Sequence, residues 1–282
     1  MKNIILISII LILLLNTKSI AKNFPNIPKQ IDVKGQTFCD KDGRKFGHAI
    51  ILLDVTSELG AAQINFVKNT VFSKDFYLGF DPFTKFSYLM INNKSVQTQE
   101  FVFSKCRPKS GEDSKLEKNS LNENKKYLER YYNDFLSDAL LTSDKYLKNK
   151  LVSEASLIYE TVAYIFQNPK FDFSEKVGRR DLIIVSDMMQ NSERINFYKA
   201  CNYKSPNAQC PSFSNFMKNL SDKDYLIATA PKGKDVNLKI IYLNNRYETN
   251  KEIDKSLIEL WKNYFIDRGF QNVEIIRFLD IK

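Results

Sequence analysis

Two unbroken apolar runs each lead into an aspartate: His48-Ala-Ile-Ile-Leu-Leu-Asp54 and Asp181-Leu-Ile-Ile-Val-Ser186-Asp187. Continuous β-branched and leucine runs of this length read as strands buried on both faces, as in a parallel sheet covered by helices. After the first run, Leu59, Ala62, Phe66 and Val67 recur at helical spacing and predict a helix over about 59–72. Residues 84–91 and 98–105 are two strand-like runs joined by the short polar stretch Asn92-Asn93-Lys94-Ser95, too short for a crossover helix, so they predict a hairpin with one antiparallel strand. Helices are predicted over about 122–141 and 153–167, with Asn168-Pro169 ending the latter. After the second aspartate-ended strand come a short helix over 212–220 with Ser212 as its cap, a strand over 236–243, a helix over about 253–268 closed by Gly269, and a last strand over 272–278.

This alternation predicts an α/β fold: a Rossmann-like, doubly wound, mostly parallel sheet with one antiparallel edge hairpin. Residues 46–282 form one α/β domain, with a polar helical insertion at about 107–150 and an irregular lead-in over 22–45 that holds Pro25, Pro28, Gly35 and Gly43. Trp261, Tyr264 and Phe265 follow i, i+3, i+4 spacing and are expected to pack in the core.

At the N-terminus, Lys2 precedes an apolar run from Ile4 to Leu15, and small residues at Ser19 and Ala21 resemble a cleavage site, so residues 1–21 read as a signal peptide. The run is about 12 residues, against roughly 20 for a comfortable membrane crossing, which makes an uncleaved anchor the weaker alternative. No later segment reads as a membrane span, so the expectation is an exported protein, periplasmic or secreted.

Removal of Lys2 and Lys18 with the signal would lower the formal charge from +9 to +7. The lysines are scattered among Asp and Glu, which reads as a solvated basic surface rather than a nucleic-acid groove. Export points the four cysteines towards disulfides. Cys201 and Cys210 bracket a short loop and Cys39 and Cys106 flank predicted strands, so these are the expected pairs. No Cys-x-x-Cys occurs, and the single histidine, His48, starts a strand as an expected hydrogen-bonded core residue.

The chemistry centres on the two strand ends. In parallel α/β sheets ligands sit beyond the carboxyl ends of the strands. Carboxylate and hydroxyl oxygens gathered there suit a hard divalent cation, Mg²⁺ or Mn²⁺. Neither a Gly-x-Ser-x-Gly turn nor a phosphate-cradling Gly-Lys-Ser/Thr loop is present.

A first strand ending Asp54-Val-Thr56, a later strand ending Ser186-Asp187 and an antiparallel edge hairpin together resemble the von Willebrand factor A (VWA) family. Asp54-Val-Thr-Ser-Glu-Leu, Cys106-Arg-Pro, Ser186-Asp-Met-Met-Gln-Asn and Trp261-Lys-Asn-Tyr-Phe265 resemble a bacterial, exported branch of it, over most of residues 46–282. The resemblance implies a metal-ion-dependent adhesion site (MIDAS), built in that family from an Asp-x-Ser-x-Ser loop, a threonine on a second loop and an aspartate on a third. Carried over, Asp54 and Thr56 take the first-loop positions, Asp187 the third-loop aspartate and Ser153 the second-loop hydroxyl. Glu58 stands where the second serine belongs, which makes the site degenerate.

Capping competes with metal binding at each position. Asp54, Asp187 and Ser153 could each cap a following helix, and Glu58 could be a first-turn acid favoured by the helix dipole. The implied function is a binding module, not an enzyme, whose ion engages a protein partner. A metal-free structural scaffold is the alternative, and a metal-dependent phosphoesterase the third reading.

Overall fold

The computed structural model describes residues 47–91, 96, 99–113, 125–148, 153, 155–171, 173, 178–193, 195–202, 205, 208–219, 235–244, 251–270 and 272–278. The expected signal peptide and lead-in lie outside them, as does the Asn92–Ser95 turn.

Among the described residues, strands β1 (His48–Asp54), β2 (Lys85–Ile91), β3 (Phe103–Cys106), β4 (Arg180–Ser186), β5 (Val236–Tyr242) and β6 (Asn272–Arg277) form one sheet in the order β3-β2-β1-β4-β5-β6. All neighbours pair in parallel except β2 and β3, which are antiparallel with Lys85 opposite Cys106 and Tyr88 opposite Phe103. The expected mixed sheet with one antiparallel edge is therefore present. Its second hairpin strand is shorter than the run over 98–105: Phe101 leaves the ladder, and its ring meets Phe171 at 5.0 Å.

β1 and β4 are buried at every position because helices cover both faces of the sheet. The helices are α1 (Ala61–Val71), α2 (Lys74–Leu78), α3 (Lys125–Leu147), α4 (Ile158–Gln167), α5 (Phe197–Ala200), α6 (Phe213–Asn219) and α7 (Lys251–Asp267). On one face Ile50, Leu52, Leu182 and Ile184 pack with α4 and with Trp261, Tyr264 and Phe265 of α7. On the other, Ile51, Leu53, Ile183 and Val185 pack with Val67 of α1, Tyr77 of α2 and Tyr132 and Phe135 of α3.

Several local signals act as read. Gly269 adopts φ 87° and closes α7, its N–H reaching the Ile266 carbonyl at 2.9 Å, a backbone conformation that a Cβ disfavours. His48 is buried, with Nε2 3.0 Å from the Ser87 hydroxyl. Others differ. The helix expected over 59–72 starts at Ala61 on a Gly60 cap, and Ser73 caps the separate α2 by accepting from the Phe76 N–H at 3.1 Å. Arg107, in a stretch that reads as a polar loop, is fully buried; it donates to the Tyr77 and Phe80 carbonyls and to both oxygens of Asp113 at 2.8 Å.

The strand order reverses between β1 and β4, the place where a doubly wound sheet opens a crevice at its carboxyl end. Asp54 ends β1 there, beside the last residue of β4, Ser186.

Candidate functional site

Three loops meet at this sheet end, and Asp54 is where they are tied together. Its Oδ1 accepts the Thr56 hydroxyl at 2.6 Å and the Thr56 N–H at 3.2 Å. Its Oδ2 accepts two hydroxyls from distant segments, Ser156 at 2.9 Å and Ser186 at 2.7 Å. The Ser156 segment is held in place by a two-way backbone pair with Asn191, each N–H reaching the other's carbonyl at 2.9 Å. The third loop is fixed in turn: Met188 takes a left-handed backbone, φ 60°, while its N–H bonds the Ser186 hydroxyl at 2.7 Å and its carbonyl accepts Trp261 Nε1 at 2.9 Å. An αL conformation is strained for a residue with a Cβ and persists where the surroundings over-determine it.

Asp187 stands next to this network with one oxygen engaged. Oδ1 accepts the Met189 N–H at 3.0 Å, whereas Oδ2 is buried and has no hydrogen-bond partner among the described residues. Burial pushes the Asp187 carboxyl up to about 7, the charge of Asp54 adds to the rise, and the Met189 N–H and the nearby Ser57 hydroxyl work against it. Two carboxylates at one low-dielectric sheet end favour a proton or a cation that neutralises part of their charge. Oxygen-only donors of this kind match hard divalent ions.

Of the residues singled out in the sequence, Asp54 and Thr56 are joined directly, and Asp187 stands close enough for its charge to be felt with Asp54. Ser153 does not reach the cluster: its hydroxyl donates to the Ala155 carbonyl at 2.7 Å in its own turn. The hydroxyl that this segment delivers to Asp54 belongs to Ser156. Glu58 is exposed and precedes the Gly60 cap by two residues, so it lies outside the first turn of α1. The capping alternatives also change. Asp54 lies too far before α1 to cap it, α5 is capped by Asn196, and α4 begins at Ile158 rather than 153. Gln190 closes the start of α4 from the third loop: its Oε1 accepts the Tyr159 N–H at 3.0 Å. Ser156, Ser186 and Gln190 belong to the candidate site, and pattern reading passed over them. Ser186 stood in the quoted motif, but nothing in the local sequence marks Ser156.

Cys201 and Cys210 form a disulfide, as expected. Cys106 is also disulfide-bonded, and its expected partner Cys39 lies outside the described residues. Among the described residues no three His, Cys, Asp or Glu side chains converge as a metal-ligating group, so the cluster's character rests on two carboxylates with hydroxyls.

No protein-family model matches the sequence, and no curated protein matches it. Solved structures similar to the chain include proximal thread matrix protein 1 from the mussel byssus, with a zinc-occupied MIDAS motif. It has 12% identity and a TM-score of 0.40, over 83% of this chain and 44% of that one. An aerotolerance-related membrane protein from Bacteroides fragilis has 9% identity and a TM-score of 0.38, over 83% of this chain and 92% of that one. The pilus adhesin SpaC from Lactobacillus rhamnosus GG has 7% identity and a TM-score of 0.37, over 86% of this chain and 29% of that one. The chain thus spans less than half the length of the mussel protein and of the adhesin. Likenesses this weak carry nothing about function; the strand order, the single antiparallel edge and an aspartate at the β1 switch point carry the fold. The fold is a Rossmann-like, doubly wound α/β sheet with one antiparallel edge strand, as expected. Of the three loops that meet at this sheet end, the first carries Asp54 and Thr56, the second Ser156, and the third Ser186 with Asp187.

Proposed function

We propose that this protein is an exported VWA-like binding module that holds a divalent cation, Mg²⁺ or Mn²⁺, at the Asp54 sheet end and engages a protein partner there. The reading rests on one observation above all: Asp187 Oδ2 is buried beside a second carboxylate and lacks a hydrogen-bond partner among the described residues. Such an oxygen is costly to leave unmatched. Asp187 would hold the ion, with Asp54, Thr56, Ser156 and Ser186 supplying further oxygens and Glu58 exposed at the rim. A bound ion supplies a coordination position that an acidic residue of a partner can complete. Export is supported by the apolar N-terminal segment and by the Cys201–Cys210 disulfide, which belongs in an oxidising compartment. Among the described residues no helix is long and apolar enough to cross a membrane.

The metal-free scaffold is the second reading, favoured by the fact that both oxygens of Asp54 are already occupied by hydroxyls. For phosphoester hydrolysis the sheet end offers little: His48 lies at the opposite end of β1 from Asp54, buried against Ser87. Calorimetric titration of the oxidised chain with Mn²⁺ and Mg²⁺, beside Asp187→Asn, separates the first two. Saturable binding that the substitution weakens at least tenfold supports the module, and equal or absent heats in both proteins support the scaffold.

A further inference from the structure

β6 ends the sheet, and among the described residues nothing pairs with its outer edge. A strand edge presents a row of backbone N–H and C=O groups, a template for another strand. What distinguishes this edge is a recess on each face beside it. On the α7 side a groove of about 360 Å³ has Ile258, Val273 and Ile275 as its floor and Lys255, Lys262 and Arg277 on its rim. On the other face a cleft of about 750 Å³ is lined by polar groups that include Asn237, Asn272 and Glu274. Successive side chains of a strand point to opposite faces, so a strand laid against β6 would send alternate residues into the two recesses.

The recesses differ in chemistry. In the polar cleft most charges are paired: Lys239 with Glu274 at 3.1 Å and Arg179 with Asp181 at 2.8 Å, Asn272 donates to Asn237 at 2.9 Å, and Asp75 adds an acid to the lining. In the α7 groove three cations face the single acid Glu259, over an apolar floor that continues towards Ile266, half exposed on the same stripe of α7. Arg277 has a 3.8 Å contact with Asp254, which leaves Lys255 and Lys262 with Glu259 between them and one positive charge in excess on the rim.

We propose that β6 is a strand-addition site for an extended peptide of another protein. In that peptide, apolar and acidic residues face the α7 groove and alternate with small polar residues that face the opposite cleft. Backbone bonds along the edge supply affinity and the two recesses supply register and selectivity. The site lies apart from the Asp54 loops and does not depend on the reading given for them.

The test uses the oxidised chain and a fluorescent heptapeptide panel in which valine, isoleucine and glutamate alternate with threonine and asparagine. Each peptide is also made with alternate backbone amides N-methylated. Saturable anisotropy changes are expected for unmodified peptides, unaltered by EDTA, with the β6 amides gaining hydrogen-exchange protection. N-methylation should abolish binding, and Lys255→Glu with Lys262→Glu, both exposed, should weaken it at least tenfold. Binding that survives N-methylation, or protection that appears away from β6, would overturn the proposal. So would failure of the whole panel to bind, or a concentration-dependent dimer that protects β6 by itself, since the edge would then serve a second copy.

Discussion

Ser156 donates its hydroxyl to Asp54 Oδ2 at 2.9 Å across 102 residues of sequence, and the same oxygen accepts Ser186. This carboxylate is therefore a fastening point for three loops as well as a candidate ligand. Replacing it tests both roles. Asp54→Ala would leave three hydroxyls and the Thr56 N–H without their acceptor, and should cost about 2–4 kcal/mol of stability. Asp54→Asn keeps one acceptor oxygen and should cost roughly half as much. Urea unfolding of both variants at neutral pH gives the comparison.

The Asp187 carboxyl, raised to about 7 by burial and by Asp54, makes stability depend on pH in a defined direction. Below about 4, the ordinary carboxylate value, folded and unfolded chains both carry the proton. Between about 4 and 7 the unfolded chain has lost it and the folded chain keeps it, so this group's contribution falls as pH rises and levels off above 7. Asp187→Asn should match the parent protein near pH 4 and exceed it in stability by at most a few kcal/mol at pH 7.5. Denaturant midpoints of the pair, taken without divalent ions, read this difference.

Trp261 connects the core to the site: its Nε1 holds the Met188 carbonyl while its ring stacks on Tyr159 at 4.2 Å. Trp261→Phe keeps most of the packing but leaves that carbonyl with the Gln190 N–H at 3.1 Å as its remaining donor, with an expected cost of about 1 kcal/mol. Because this contact is one of three that hold Met188, with the Ser186 hydroxyl and the Gln190 N–H, the substitution should also loosen the Asp187 loop and weaken Mn²⁺ binding. A thermal melt and a Mn²⁺ titration check the two effects separately.

The Cys201–Cys210 bridge closes a short loop whose two cysteines are buried against the α7 face of the core. Replacing both with serine should destabilise the protein by about 2–3 kcal/mol. The proposed cation site should keep its affinity, because no described residue of this loop bonds Asp54 or Asp187. Melting temperatures of the oxidised parent and the double variant, with parallel Mn²⁺ titrations, decide this.

The fold was legible because its strongest signals are local. The runs into Asp54 and Asp187 are strands, and Trp261, Tyr264 and Phe265 are core, since burial on both faces or on one helical stripe is written into periodicity. The site was half legible. Asp54, Thr56 and Asp187 follow from strand ends, but Ser156 owes its position to the backbone pair with Asn191, 35 residues away. Ser153 draws attention as a cap by its residue type, yet the start of α4 is closed by Gln190 from another loop, a tertiary substitute that local pattern does not encode. Arg107 was hidden for a like reason: its carbonyl partners at Tyr77 and Phe80 lie 30 and 27 residues earlier in the chain.

Paramagnetic Mn²⁺ directly locates the divalent ion proposed among the Asp54, Ser156 and Asp187 loops. In amide NMR spectra of the oxidised chain, substoichiometric Mn²⁺ should broaden the signals of residues 54–57, 156 and 187–189 first and saturably. Excess Mg²⁺ should restore them, and Asp187→Asn should lose the effect. Broadening that is unsaturable, or that centres on exposed acids such as Glu112 and Asp134 while these loops stay sharp, would contradict this reading.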